Sequence, residues 1–121
     1  MTASGLSLAV LVWYRFTVAR EVEWVRPLGD GVRKRHWHST ERGRVVAFAV
    51  QLDLWVEDHW QPIVRYDAAH GFAHRDIYET ATRIRKEAMG MSFRDALPYA
   101  DRDLDDGWPQ YVEAFRRRIR K

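Results

Sequence analysis

The clearest pattern in the chain is an alternation of apolar and polar side chains between Arg44 and Trp55. One alternate set consists of large apolar residues, namely Val46, Phe48, Val50, Leu52 and Leu54. This spacing predicts a strand with one buried face. A polar turn over residues 56–59 leads into a second apolar run, Trp60 to Tyr66, so the two segments predict an antiparallel hairpin. Pro62 has no N–H group, which predicts an edge or a bulge in the second strand.

The C-terminal part of the chain has helical spacing instead. Ser92 followed by Asp95 resembles a capping box and predicts the start of a helix. Two apolar stripes follow, first Phe93, Ala96, Leu97, Ala100 and Leu104, then Trp108, Tyr111, Val112, Phe115 and Ile119. Pro98 is expected to kink or delay the first helix. The pattern therefore predicts two amphipathic helices, with the second packed on the apolar face of the hairpin.

The remaining segments are less regular. Residues 8–25 have a β-favouring composition, although residues 19–23 also suit a helix. Leu6 to Tyr14 predicts a buried strand, because a membrane-spanning helix requires about 20 apolar residues. Pro27 to Gly31 predicts a turn. The basic stretch up to Gly43 predicts an irregular or edge segment, and residues 81–89 predict a strand. The predicted fold class is α+β, with an antiparallel β-sheet of three to four strands packed against two C-terminal α-helices.

Composition narrows the class of protein. A length of 121 residues suits one domain, residues 1–121, and the 46% hydrophobic and 31% charged residues are typical of a globular protein. The chain has no cysteine, which excludes disulfides and thiolate metal sites and predicts a cytoplasmic protein. The net charge of +3 is too small to mark a nucleic-acid binder. Basic residues nevertheless concentrate at residues 33–35 and 116–121. The second group suits either the C-terminus of a helix or contacts with phosphate groups.

Residues 65–76 hold the densest group of reactive side chains. The candidate catalytic residues are its histidines and aspartates, which lie close enough in sequence for proton transfer: His70, His74, Asp67 and Asp76. The candidates for holding a phosphate group are Arg65, Tyr66 and Arg75. Metal-independent cleavage of a phosphodiester can be built from these side chains. The alternative is an ion-pair network that fixes an irregular connection.

Other interpretations of the histidines fit their sequence context less well. His70 and His74 would chelate zinc from a helix, with Asp67 or Asp76 as third ligand, but Gly71 disfavours that helix. We therefore expect no metal site and no cofactor. The tripeptide at residues 74–76 also matches the protein-kinase catalytic loop, but the required Asn is absent at position 81. The histidines at 36 and 38 would share one face of a strand, most simply at a surface edge.

A resemblance to a known family rests on residues 65–76, which read R-Y-D-A-A-H-G-F-A-H-R-D, and on Trp108-Pro109-Gln110-Tyr111 with Phe115-Arg116. These segments resemble a family of small bacterial and archaeal proteins in which an R-Y-D-x-A-H-G-x-x-H-R motif ends a strand and a W-x-x-Y-x-x-x-F tail follows. Such relatives are similar to the TumE-like toxins. The resemblance covers residues 43–119, and the N-terminal third departs from it. It implies a ribonuclease toxin with a small DNA-binding antitoxin as partner.

The sequence leaves different functions open. The first is a toxin-like ribonuclease, a hydrolase in which the paired histidines exchange protons and the arginines hold the scissile phosphate, oriented by Tyr66 and Asp67. The second is a nucleic-acid- or protein-binding module that uses the same arginines without chemistry. The third is a structural subunit. The six tryptophans and five tyrosines predict an exposed contact surface. The expected partners are an antitoxin, RNA or a second copy of the chain, and not a membrane.

Overall fold

The structure, a computed structural model, describes residues 19–120 as one sheet and one long helix. The strands are β1 (Arg20–Gly29), β2 (Val32–Glu41), β3 (Arg44–Val56), β4 (His59–Asp67), β5 (His74–Tyr78) and β6 (Ile84–Ala88). A short 3-10 turn, Ala69–Gly71, connects β4 to β5, and the helix is α1 (Phe93–Ile119). Each strand pairs antiparallel with the next one, so the order of the six strands in the sheet is their order in the chain.

The two faces of the sheet differ in what covers them. Phe48, Val50 and Leu52 of β3 pack in one core with the buried side of α1. That side of the helix consists of Ala96, Leu97, Ala100, Leu104, Val112 and Phe115. We call this face of the sheet the inner face and the opposite one the outer face. Because α1 is the only α-helix among residues 19–120, no described helix covers the outer face.

The predicted hairpin of β3 and β4 is confirmed. The two strands pair antiparallel from Ala49 opposite Asp67 to Val56 opposite His59. The register shifts near Pro62, so the predicted irregularity there is a bulge in an interior strand. The predicted burial of Val46 is wrong, because this residue lies beyond the end of the β3–β4 pairing and is exposed.

The prediction of two C-terminal helices is wrong, because α1 is one helix of 27 residues. It begins at the predicted cap, where the Ser92 side chain accepts a hydrogen bond from the amide of Asp95 at 3.2 Å. Pro98 and Pro109 lie inside the helix. Each lacks an N–H group, but the fixed φ of proline is itself helical. The apolar stripe continues on the same side past both prolines, so packing against the sheet keeps the helix continuous.

The prediction of three to four strands is also wrong, because the sheet formed by residues 19–120 has six. The main reason is β2, which occupies the stretch expected to be irregular. Apart from Val32 at its start, its side chains on the inner face are Lys34, His36 and His38 rather than apolar residues. The strand therefore has no alternation of hydrophobicity, which is the signal that predicts a strand. Residues 84–88 form the predicted strand β6, whereas the strand predicted at residues 6–14 lies outside the described residues.

None of the helices among residues 19–120 is long and apolar enough to cross a membrane.

Candidate functional site

Strand alternation divides the predicted cluster between the two faces of the sheet. Arg65 and Asp67 of β4 pair with Asp76 and His74 of β5, and all of them lie on the outer face. His74 Nε2 lies 2.7 Å from Asp67 Oδ1, and Arg65 Nε donates to Asp67 Oδ2 at 2.8 Å. Lys86 of β6 donates from Nζ to Asp76 Oδ2 at 3.1 Å. The outer face thus joins β4, β5 and β6 through a chain of ionic hydrogen bonds.

His74 is buried, with only 6% of its surface exposed. The reason is its position in an interior strand, where both neighbours cover it. Both ring nitrogens face acceptors, since Nδ1 lies 3.3 Å from the carbonyl oxygen of Phe72 and Nε2 faces Asp67. An imidazole held in this way is fixed in orientation, which is the role that a neighbouring carboxylate plays for a proton-transferring histidine.

His70 has the opposite character. It is exposed, and its φ of 69° places it in the left-handed region that favours glycine. Gly71 follows with a φ of 85°. This backbone excludes the helical zinc chelate, as the glycine predicts. The strain of a side chain in this region costs about 1 kcal/mol or more, and such residues cluster at functional sites.

The two histidines line one cleft, which we call the histidine cleft. Its volume is about 240 Å³, and its lining consists of His70, Phe72, His74, Lys86, Glu87 and Ala88. The two imidazole centroids are 6.2 Å apart. The cation beside them is Lys86, whose side chain is 67% exposed, rather than the predicted Arg65 or Arg75. The cleft therefore combines two proton-transfer groups with a positive charge.

Asp67, His74 and Asp76 are buried together, and we call them the Asp-His-Asp cluster. Their potential ligand atoms lie within 4.8 Å of one another, close enough to hold a metal ion. Asp76 Oδ1 has no hydrogen-bond partner and lies 3.9 Å from His74 Nε2. Each carboxylate, however, already has its own cation, in Arg65 and Lys86. The charge of the cluster is therefore balanced without an ion, and an added cation would face two positive side chains.

Tyr66 and Arg75 lie on the inner face, away from the histidines. The Tyr66 and Tyr111 hydroxyls both donate to Asp103 Oδ2, at 2.6 and 2.5 Å, and Arg75 donates to Tyr111 at 2.9 Å and to Glu87. Burial and the bond to Asp103 raise the pKa of Tyr66 far above its usual range and that of Tyr111 to about 12. These hydroxyls are donors at any physiological pH, so this tyrosine cluster fixes α1 to the sheet.

A second polar cluster joins β2 to α1 on the other side of the helix. Lys34 is buried and donates to Asp105 Oδ1 at 2.6 Å. His36 Nδ1 lies 3.0 Å from Asp101 Oδ1, and its Nε2 lies 2.7 Å from His38 Nδ1. The histidines share one face, as alternation predicts, but in an interior strand rather than at an edge. Burial would raise the pKa of Asp101, but bonds from His36 and Lys34 lower it.

Sequence reasoning missed Lys86, Asp103 and Asp101. Lys86 belongs to a segment predicted as a strand, and alternation places it on one face with Ala88. No pattern in the sequence, however, indicates that this face lies beside the histidines. The two aspartates lie in a helical segment in which charged residues at regular spacing usually face solvent. Only the packing of α1 gives these carboxylates their partners.

Residues 19–120 define a class of protein with an antiparallel meander sheet, a long helix on the inner face and a histidine cleft at the outer face. The chain belongs to the family described as Domain of unknown function (DUF7718), whose model matches residues 19–121. No curated protein and no solved structure matches the chain.

Proposed function

We propose that this chain is a metal-independent ribonuclease of the toxin class, which cleaves RNA in the histidine cleft. The observation that carries the proposal is the pairing of His70 and His74 across one cleft with Lys86 beside them. Cleavage of a phosphodiester without a metal requires a base and an acid that flank one phosphorus atom. A positive group must also stabilise the charge that develops on the phosphoryl oxygens. All three groups are present in this cleft.

The roles follow from the environment of each histidine. His70 is exposed and accepts the proton of the ribose 2′-hydroxyl, whose oxygen then attacks the phosphorus. His74 donates the proton on Nδ1 to the departing 5′-oxygen in place of its long 3.3 Å contact with the Phe72 carbonyl oxygen, while Nε2 stays against Asp67. The bond from phosphorus to the 5′-oxygen breaks, which leaves a 2′,3′-cyclic phosphate and a free 5′-hydroxyl. Lys86 stabilises the negative charge, and Asp67 orients His74.

Cleavage of labelled RNA in the presence of EDTA tests this proposal. The His70→Ala variant should cleave about 100-fold more slowly or worse, because general acid–base catalysis contributes about 100- to 10,000-fold. His59→Ala is the matched control, because His59 is also exposed but is the first residue of β4, next to the β3–β4 turn. The product should end in a cyclic phosphate. Equal rates for His70→Ala and the wild type, or no cleavage by the wild type of any RNA offered, would exclude the proposal.

The cellular setting is part of the same proposal. A toxin of this kind acts on RNA in the cytoplasm and is held inactive by an antitoxin protein. Coexpression tests this, since the wild type should arrest growth and His70→Ala should not. A neighbouring gene for a small DNA-binding protein should relieve the arrest. A second copy of the chain is the alternative partner, and the mass of the protein in solution distinguishes the two.

The alternative function is binding of nucleic acid without cleavage. The observation that favours it is the exposure of the Arg35 and Arg65 side chains, 47% and 34%, on the same outer face. Guanidinium groups in this position suit phosphate contacts. Under this alternative, His70→Ala would bind RNA as tightly as the wild type, and neither protein would cleave it.

A further inference from the structure

The outer face carries a second cleft, in line with the first. Along one row across the sheet, Trp37 pairs with Ala49, Ala49 with Asp67, and Asp67 with His74. Strands are about 4.8 Å apart, so Trp37 lies about 14 Å from His74 along this row. Ala49 is the smallest side chain between them, which leaves an open trough beside the indole ring.

This second cleft, which we call the tryptophan cleft, has a volume of about 130 Å³ and is lined by residues that include Trp37, Arg35, Gln51, Arg65 and Glu23. The indole Nε1 of Trp37 donates to Glu21 Oε1 of β1 at 3.1 Å, and this bond fixes the plane of the ring. Arg65 Nη1 donates to Gln51 Oε1 at 2.9 Å, which fixes the guanidinium. An aromatic ring and two guanidinium groups are therefore held around one small space.

We propose that the tryptophan cleft binds one nucleotide of a single-stranded RNA whose backbone crosses the outer face to the histidine cleft. The base stacks on Trp37, because every base has an aromatic face. The phosphates contact Arg35 and Arg65, which lie in the next row of outer-face residues and whose side chains are 47% and 34% exposed. The choice of RNA as the substrate rests on the proposed function, whereas the nucleotide site itself does not require cleavage.

Glu23 gives this site a preference among bases. It pairs with Trp37 across β1 and β2 and lines the same cleft. A carboxylate accepts hydrogen bonds but does not donate them. Adenine, cytosine and guanine each have an exocyclic amino group that can donate to Glu23, whereas the N3–H of uracil lies between two carbonyl oxygens that a carboxylate repels. The site should therefore bind an adenosine strand more tightly than a uridine strand.

Fluorescence anisotropy with short labelled 2′-O-methyl oligonucleotides of A and of U measures the site without cleavage, since the 2′-oxygen is blocked. Trp37→Ala should weaken binding of the A strand by about 5- to 150-fold, the range found for loss of base stacking. Trp37→Phe should keep most of the affinity. Arg35→Gln should reduce the slope of log affinity against log salt by about 1.

Trp55→Ala is the control, because Trp55 is an exposed tryptophan of the outer face, whereas Trp37 is half-buried, and it lies about 20 Å from Ala49 along β3. Its affinity should equal that of the wild type. If Trp37→Ala binds the A strand as tightly as the wild type does and has the same melting temperature, the proposed nucleotide site is wrong. Failure of the wild type to bind either strand would overturn it as well. If Trp37→Ala does not fold, the Arg35→Gln result decides.

The two proposals fail in different ways. If natural RNA is not cleaved but Trp37→Ala loses affinity for the blocked strand, the ribonuclease proposal is wrong and the nucleotide site stands. If RNA is cleaved and Trp37→Ala leaves KM unchanged, the ribonuclease stands and the nucleotide site is wrong.

Discussion

Replacing His74 with alanine should destabilise the fold, whereas replacing His70 should not. His74 is buried and lies 2.7 Å from Asp67, whose Oδ1 would keep only the amide of Ala69 at 3.1 Å. A hydrogen bond to a charged group contributes about 1.5 to 3 kcal/mol. His70 is exposed, and alanine carries the same Cβ into the left-handed region, so this substitution leaves the backbone strain in place and should change stability by about 0.5 kcal/mol or less.

Urea unfolding followed by circular dichroism measures the difference. His74→Ala should lower the free energy of unfolding by about 1.5 to 3 kcal/mol. For a domain of this size that corresponds to about 6 to 15 °C in melting temperature. A double-mutant cycle with Asp67→Asn should give a coupling energy of about 1 kcal/mol or more, because the two residues are in contact. An unfolding midpoint for His74→Ala equal to that of the wild type would refute the reasoning.

This result also decides how activity data are interpreted. Loss of cleavage in His74→Ala could follow from the damaged fold, whereas loss of cleavage in His70→Ala could not. The exposed histidine is therefore the variant that tests catalysis.

Three further predictions follow from other parts of the structure. Tyr66→Phe should lower the free energy of unfolding by about 1.5 to 3 kcal/mol, because it removes the donor to the Asp103 carboxylate; an unchanged denaturation midpoint would contradict this. Burial and the neighbouring His36 lower the pKa of His38, so the unfolded chain binds more protons and stability should fall as the pH drops below about 6.5. Melting temperatures across pH should show this slope, and His38→Gln should flatten it. EDTA should leave the melting temperature unchanged; a drop that zinc restores would make the Asp-His-Asp cluster a metal site.

The parts of the fold that could be predicted from sequence are those that bury apolar side chains. The β3–β4 hairpin and the Ser92 cap were accessible because alternation and capping are local signals. β2 could not be predicted in the same way, since, apart from Val32 and Ser39 near its ends, the side chains that it buries are Lys34 and His36. Their burial depends on two aspartates of α1, more than sixty residues further along the chain. Such pairs carry no local pattern.

The candidate site shows the same limit. Composition alone identifies residues 65–76 as dense in reactive groups. In β4 and β5, however, successive side chains point to opposite faces of the sheet. Tyr66 and Arg75 therefore belong to the tyrosine cluster rather than to the histidine cleft. The cation of the histidine cleft is Lys86 of β6. Its position depends on the register of β6 against β5, which the folded sheet sets and no local sequence pattern indicates.

The carboxylates of α1 determine where the helix can dock. An apolar stripe repeats every turn, so a stripe alone would permit a slip of about 5.4 Å along the sheet. Asp101 and Asp105 lie on one flank of the stripe, and Asp103 lies on the other. A slip of one turn would separate the buried Lys34 from both of its aspartates and leave it as an unpaired charge in the core, at a cost of about 3 to 5 kcal/mol. The helix therefore has one docking position along the sheet, and the polar contacts rather than the apolar ones select it.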